Sequence, residues 1–230
     1  MKSAVVVFPG SNCDRDAYTT LRDVGLNPSY VWHGDSSLPD GLDVIVLPGG
    51  FSYGDYLRCG AMAARSPIMR EVIAYATKGG HVIGICNGFQ VLCETGLVPG
   101  TLMRNRHLKF NCHNTNLRVE SNDSAFLSGY KKGQVVNFPV AHAEGNYFAD
   151  ADTLKRLNDN GQVALRYVDA AGKPSDEGNP NGAVENIAGI TNEKKNVLGL
   201  MPHPERHADP ELGGSDGRIL FESVLKKFAA

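Results

Sequence analysis

Short apolar runs recur along the first part of the chain and alternate with stretches of helical periodicity. Runs rich in valine and isoleucine occupy residues 4–8, 43–47 and 81–85, as expected of buried strands. Between the last two runs, residues 66–76 begin with a Ser-Pro cap, repeat apolar side chains at helical spacing and end before a Gly-Gly pair. The alternation predicts an α/β fold in which helices wrap a mostly parallel central sheet.

The pattern changes to period two between about residues 100 and 148. Apolar and polar side chains alternate in segments such as 116–120 and 134–138, which predicts antiparallel strands in a smaller section of the fold. Residues 170–186 collect Gly, Pro, Asn and acidic residues with little apolar content. We expect an exposed loop there.

The end of the chain has the pattern of a final helix. Leu220, Val224 and Phe228 fall on one helical stripe, which is expected to dock on the core. At 230 residues, the chain matches one large domain better than two small ones. We therefore predict a single domain over residues 1–230.

Composition excludes several classes of protein. The 23 Lys and Arg residues nearly balance 25 Asp and Glu residues, so no basic surface for nucleic acid is expected. No apolar stretch approaches the roughly 20 residues that span a bilayer, so we expect a cytoplasmic protein without membrane contact. The five cysteines are spaced like neither a disulfide framework nor a zinc ribbon, which predicts free thiols and no metal site: Cys13, Cys59, Cys86, Cys93 and Cys112.

The most specific local signal is Gly-Ile-Cys-Asn-Gly at residues 84–88, where the third apolar run passes into a helical segment. A strand that turns sharply into a helix strains its turn residue and needs small neighbours. Cys86 would then stand exposed above the sheet at the positive end of a helix, which favours its thiolate. The pattern favours a nucleophile over the alternative, a small buried apolar residue that closes a strand.

A second marked segment is Met-Pro-His-Pro-Glu-Arg at residues 201–206, directly after another apolar run. In an extended segment, residues two apart project the same way, so His203 and Glu205 can hydrogen-bond. A thiol nucleophile requires such a base and orienting carboxylate. Alone, the segment fits a structural proline turn with a surface histidine equally well. Together with Cys86, it predicts a Cys-His-Glu triad.

Two backbone amides are candidates for an oxyanion hole. Gly50 belongs to a Gly-Gly pair that follows the second apolar run, and paired glycines let backbone N–H groups approach a ligand closely. The amide of Asn87 directly follows the nucleophile. Tight turns also use Gly-Gly freely, so the Gly49-Gly50 pair is informative only together with the Cys86 segment and the His203–Glu205 segment.

These features resemble the class I, or triad-type, glutamine amidotransferases. The marks of that family are a Gly-x-Cys-x-Gly elbow and a later Pro-His-Pro-Glu segment, here at residues 84–88 and 202–205. Further blocks resemble the branch of the family that serves purine synthesis, and they span nearly the whole chain: residues 8–14, 48–58, 142–145 and 179–182. Cys59 departs from that pattern, in which a small alanine-like residue is expected.

The resemblance implies a flavodoxin-like three-layer sandwich and hydrolysis of the side-chain amide of glutamine. The predicted triad would act through a glutamyl thioester on Cys86. Gln90 is the position that the family uses for glutamine binding, and His142 and Glu144 lie in a family segment near the pocket. A solvated helix position for Gln90, and a structural role for the other two, remain alternatives.

The resemblance also implies partners. Ammonia would pass to a separate synthetase subunit that uses ATP and magnesium to convert formylglycinamide ribonucleotide to the amidine, and a small third subunit is expected. This sequence has no Gly-x-x-x-x-Gly-Lys-Ser/Thr loop, so we expect no cofactor in this chain.

Two other functions remain open. The same elbow would serve a stand-alone γ-glutamyl hydrolase or a cysteine peptidase-like hydrolase, which would cleave its substrate without a partner. The chain could also be an assembly or regulatory subunit that keeps the fold without activity. That function would be expected with a broken triad, but Cys86, His203 and Glu205 are all present.

Overall fold

The computed structural model describes residues 1–229, with side chains as far as Lys227. Its strands are β1 (Lys2–Val7), β2 (Asn27–Trp32), β3 (Val44–Leu47), β4 (His81–Ile85), β5 (Thr101–Met103), β6 (Asn111–Val119), β7 (Val135–His142), β8 (Asn146–Phe148), β9 (Val163–Val168), β10 (Ile187–Thr191) and β11 (Val197–Leu200). Its α-helices are α1 (Asp14–Asp23), α2 (Pro67–Thr77), α3 (Asn87–Glu94), α4 (Ala151–Asp159) and α5 (Arg218–Ala229).

A nine-stranded sheet forms the centre of the molecule, in the order β2-β1-β3-β4-β11-β10-β9-β6-β7. The first five strands are parallel, and the remaining four continue the same sheet in antiparallel pairing. The chain leaves β1 toward β2 and β3 toward β4 in opposite directions. Right-handed crossovers therefore place α1 and α2 on opposite faces, which gives three layers with the flavodoxin-like strand order. The predicted fold class is confirmed.

Burial along the strands explains the two hydrophobic patterns. Every residue of β3 and β11 is buried, as expected of parallel strands covered on both faces. In β7, buried and less buried residues alternate, which matches the period-two pattern. The predicted antiparallel segments lie in β6 and β7, which pair with each other.

The predicted helices are present, with one difference in capping. Ser66 precedes α2, but its hydroxyl makes no cap hydrogen bond and instead lies 3.1 Å from the Tyr53 hydroxyl. In α5, Leu220 and Val224 are buried as expected, whereas Phe228 lies outside the described side chains. Within the described range, no helix is both long and apolar enough to cross a membrane.

The prediction of an exposed loop at residues 170–186 is wrong for its second half. Asn181 is fully buried, and its Nδ2 donates to the hydroxyl of Tyr167 on β9 at 3.2 Å. The side chain of Asn179 turns the backbone inward by accepting a hydrogen bond from the Gly182 amide at 2.8 Å. Asn179 and Asn181 are therefore polar because they make hydrogen bonds inside the protein, not because they face solvent.

Candidate active site

The carboxyl ends of four parallel strands bring distant parts of the sequence to one edge of the sheet. Cys13 follows β1, the Gly49-Gly50 pair follows β3, Cys86 follows β4 and His203 follows β11. Open α/β sheets bind ligands at this edge, where neighbouring connections lead away in opposite directions. The topology thus assembles the candidate residues.

Cys86 occupies the strained strand-to-helix turn that the sequence predicts. Its φ is +51° and its ψ is −106°, a backbone conformation that costs on the order of 1–3 kcal/mol for a residue with a side chain. Its amide donates to the Leu200 carbonyl at 2.8 Å, which fixes the turn against β11. A Cβ on Gly84 would lie 2.6 Å from the Gly88 carbonyl oxygen, and one on Gly88 would overlap the Leu47 carbonyl. Both glycines are therefore sterically required.

The side chain of Cys86 is not exposed above the sheet, so that expectation is wrong. Cys86 is only 5% exposed, because the end of β7 and the loop after β3 close over the elbow. Its Sγ lies 3.7 Å from the Ala141 carbonyl oxygen and lines a cavity of about 230 Å³. The other lining residues are Gly50, Phe51, Asp55, Cys59, Gln90, Arg104, Ala141, His142, Ala143 and Glu144.

His203 and Glu205 form the predicted hydrogen bond. His203 Nδ1 lies 2.6 Å from Glu205 Oε1, and both side chains are buried. The backbone differs from the extended segment that the sequence suggested, because Pro204–Arg206 forms a 3₁₀ turn. The amide of His203 donates to the Pro139 carbonyl on β7 at 2.8 Å, which anchors the segment across the site.

The electrostatic surroundings favour a protonated His203. Burial lowers the pKa of His203, but the Glu205 carboxylate and then Cys86 outweigh it, so that pKa lies well above the ordinary value of 6.5. His203 Nε2 and Glu205 Oε2 are both buried without a hydrogen-bond partner. The unpartnered Nε2 is thus available to a reacting group.

The two candidate oxyanion donors belong to the loop after β3 and to the first turn of α3. Gly50 lines the cavity with a φ of +134°, and a Cβ there would lie 2.6 Å from the Asn12 amide nitrogen. Asn87 is the first residue of α3, where backbone N–H groups lack partners within the helix. Its side chain is held by Gln90 and by the Ser52 amide. Their role in binding an oxyanion stays a prediction.

The three candidate substrate contacts all line the cavity that holds Cys86. Gln90 donates through Nε2 to the Glu144 carbonyl oxygen at 2.8 Å, so its amide is already engaged. The Glu144 carboxylate is 3.4 Å from Arg104 Nε. His142 is buried against Asn105 and Asn181, and burial, followed by repulsion from His203, lowers its pKa to about 3. His142 is therefore a neutral ring.

Sequence reasoning assigned no chemistry to Cys13, yet the structure places this thiol beside the triad. Arg206 Nη2 lies 3.2 Å from Cys13 Sγ, and Arg206 Nε bonds Asp16 at 2.9 Å. Cys13 could have been found from the sequence, because it follows the predicted strand β1 and so lies at the carboxyl edge of the sheet, where ligands bind.

One group of side chains in the described part of the chain is close enough to hold a metal ion. Cys13, His203 and Glu205 each offer a ligand atom, and these atoms lie within 4.8 Å of one another. The hydrogen bond between His203 Nδ1 and Glu205 Oε1 is the arrangement of a base and its orienting carboxylate, so we assign these two residues to proton transfer. The expected absence of a metal stays a prediction.

Comparisons by family model, sequence and structure all find glutamine amidotransferases or their subunits. The family described as a CobB/CobQ-like glutamine amidotransferase domain matches residues 1–212. A phosphoribosylformylglycinamidine synthase subunit PurQ from Nitrobacter winogradskyi is 58% identical over 226 residues, 98% of this chain and 97% of that protein. A chain in the structure of PurLQS from Thermotoga maritima superposes with a TM-score of 0.88 at 45% identity, covering 99% of this chain and 98% of that one. A glutamine amidotransferase from Thermotoga maritima shares the fold, with a TM-score of 0.64 at 14% identity, covering 99% of this chain and 97% of the other.

Proposed function

This chain belongs to the PurQ family of glutamine amidotransferase subunits, and we propose that it supplies ammonia to phosphoribosylformylglycinamidine synthase. Glutamine is its substrate. The ammonia serves the synthetase subunit, which converts formylglycinamide ribonucleotide to formylglycinamidine ribonucleotide in purine biosynthesis. The whole chain, residues 1–230, would act as one amidotransferase domain in the cytoplasm.

The observation that carries the chemistry is the buried His203–Glu205 pair beside the Cys86 elbow. Cys86 Sγ attacks the amide carbon of glutamine, and the amides of Gly50 and Asn87 stabilise the developing oxyanion. The C–N bond breaks as His203 gives its proton to the departing ammonia, which leaves a glutamyl thioester on Cys86.

Hydrolysis of the thioester regenerates the site. His203, now neutral, takes a proton from water, and the resulting hydroxide attacks the thioester carbon. Glutamate leaves and the Cys86 sulfur is freed. Throughout, Glu205 holds the imidazole in one tautomer and stabilises its charged form.

Substrate recognition falls to the other side chains of the cavity. We assign Gln90, His142 and Glu144 to the polar end of glutamine because all three line the space above Cys86. Both ring nitrogens of His142 already have partners, Asn105 Oδ1 at 3.1 Å and Asn181 Nδ2 at 3.4 Å, so its neutral ring would contact glutamine by packing.

The remaining machinery belongs to other subunits. We propose that this chain holds no cofactor and that ATP and magnesium bind to the synthetase subunit. The similar chain of known structure comes from the PurLQS assembly of Thermotoga maritima, which supports a synthetase subunit and a small third subunit as partners.

The test is ammonia release from glutamine by the purified chain, with and without the two partner subunits, ATP and formylglycinamide ribonucleotide. We expect glutamine cleavage to rise with the complete set. In the assembled complex, Cys86→Ala should abolish glutamine-dependent synthesis and leave ammonia-dependent synthesis intact. Retained use of glutamine by that variant would contradict the proposal, and strong partner-independent cleavage of γ-glutamyl peptides would favour a stand-alone hydrolase.

A further inference from the structure

Two thiols approach the same imidazole from different strands, with only a glycine between them. The position that a Cβ would take on Gly49 lies 3.2 Å from Cys13 Sγ, 3.4 Å from Cys86 Cβ and 2.7 Å from His203 Cε1. Cys13 Sγ and Cys86 Cβ are therefore at most about 6.6 Å apart, the sum of the first two distances. Rotation of the two side chains can bring the sulfur atoms toward the gap at Gly49. A disulfide also needs Cβ atoms ~3.5–4.5 Å apart, so closure includes the backbone movement that brings them to that spacing.

The two thiols differ in access. Cys86 lines the substrate cavity, whereas Cys13 is only 3% exposed and is absent from the cavity lining. A small oxidant that enters the cavity therefore meets Cys86 first. Cys13 is placed to act second, from behind Gly49.

Cys59 also lines the cavity, and electrostatics decides between the two candidates for the second thiol. Burial and the carboxylates of Asp55 and Glu144 all raise the pKa of the Cys59 thiol. The pKa of the Cys13 thiol is also raised, by burial and by the Glu205 carboxylate, but His203 and Arg206 act in the opposite direction. Thiolates, not thiols, attack oxidised sulfur. Cys13 has two neighbouring cations that favour its thiolate, whereas the groups around Cys59 all oppose ionisation, so Cys13 is the better suited of the two.

We propose that Cys13 is a resolving thiol that forms a disulfide with Cys86 after a peroxide has oxidised Cys86. In the first step, the Cys86 sulfur attacks the peroxide, an S–O bond forms, the O–O bond breaks and water or an alcohol leaves. In the second, Cys13 attacks that sulfur, the S–S bond forms and the S–O bond breaks. The hydroxide leaves as water with the proton of Cys13, and the two thiols have supplied two electrons to the peroxide.

The consequence for activity rests on the proposed function, in which Cys86 is the nucleophile. The disulfide removes that nucleophile but protects it from irreversible oxidation to the sulfinic acid. A dithiol reductant returns both residues to the free thiols of this structure.

The test uses the full-length chain, hydrogen peroxide and mass spectrometry after trypsin digestion without reduction. The sequence places Cys13, Cys59 and Cys86 on separate peptides, residues 3–15, 59–65 and 79–104. We expect residues 3–15 joined to 79–104, with fragmentation placing the link at Cys86 rather than Cys93, and loss of the link with dithiothreitol. A link from Cys86 to Cys59, or sulfinic acid at Cys86 without any link, would overturn the proposal.

Variants separate the resolving thiol from its neighbours. Cys13→Ser and Cys13→Ala should lose the link and drive Cys86 to sulfinic acid that dithiothreitol does not reverse, whereas the matched control Cys59→Ala should keep the link. Equal recovery of Cys86 in the Cys13 variants and the unmodified chain would also reject the proposal. The disulfide-linked peptides are detected without glutamine. A missing link therefore rejects the resolving thiol, whereas failure of the untreated complex to hydrolyse glutamine rejects the proposed function.

Discussion

His203 Nδ1 lies 2.6 Å from Glu205 Oε1, although only one residue separates them and that residue is a proline. The 3₁₀ turn that begins at Pro204 folds the carboxylate back onto the ring. Both groups are buried, so the pair is shielded from solvent and the carboxylate acts strongly on the imidazole.

Glu205→Gln should lower glutamine hydrolysis by about 10⁴-fold, because an amide no longer fixes the tautomer or stabilises the imidazolium. The measurement is the glutamine-dependent rate of the assembled complex beside its ammonia-dependent rate. Glu222→Gln is the matched control, since Glu222 pairs with Arg218 on a partly exposed face of α5. A loss of less than about tenfold in Glu205→Gln would remove the residue from the triad.

Two of the buried histidines, His142 and His203, should shape the pH dependence of stability in opposite ways. The pKa of His203 is raised, so its contribution to stability is fully present below pH 6.5 and is lost as pH rises through the folded-state pKa. The pKa of His142 is lowered to about 3, so its contribution is present above pH 6.5 and is lost as pH falls.

Urea unfolding across pH checks both contributions. Relative to the unmodified chain, His142→Asn should flatten the decline of the unfolding free energy on the acid side. Glu205→Gln removes the charge that raises the pKa of His203 and should flatten the decline on the alkaline side. Curves that stay parallel to that of the unmodified chain would show that neither histidine titrates as described.

Gly88→Ala should abolish glutamine hydrolysis and lower the free energy of unfolding by about 1–3 kcal/mol or more. The new methyl group would overlap the Leu47 carbonyl, so α3 and the end of β3 must move apart. The control is Gly96→Ala, where no atom lies within 4 Å of the added Cβ and only the φ of +71° opposes it. That control should cost about 1 kcal/mol and keep activity. Equal rates in the two variants would count against a steric requirement at the elbow.

Cys86→Gly should be more stable than Cys86→Ala by about 1 kcal/mol, because glycine adopts a positive φ without the Cβ penalty. Neither variant should hydrolyse glutamine. Chemical denaturation of both proteins measures the difference. If Cys86→Ala is the more stable variant, the turn is not strained in solution.

Local patterns explain which parts of the fold were predictable. Continuous valine and isoleucine runs mark β3 and β4 because parallel strands are buried on both faces. The edge strand β2 has no such run, since it begins with Asn-Pro and exposes half of its positions, and it was not predicted.

The candidate site was predictable where one short segment fixes its geometry. The glycines around Cys86 and the prolines around His203 act on the backbone locally. The burial of Cys86 was not predictable, because β7 and the loop after β3 cover it only in the folded chain. The place of Cys13 likewise depends on strand order, since β1 and β11 meet the site from opposite ends of the sequence.

The pairing of β11 with β4 has a consequence for synthesis of the protein. The elbow residues are made early in synthesis. The amide of Cys86, however, donates to the Leu200 carbonyl on β11, and His203 follows Leu200 by three residues. A ribosome-bound chain that ends before β11 therefore carries a thiol without its base. We therefore expect glutamine hydrolysis to begin only when nearly the entire polypeptide has been made and folded.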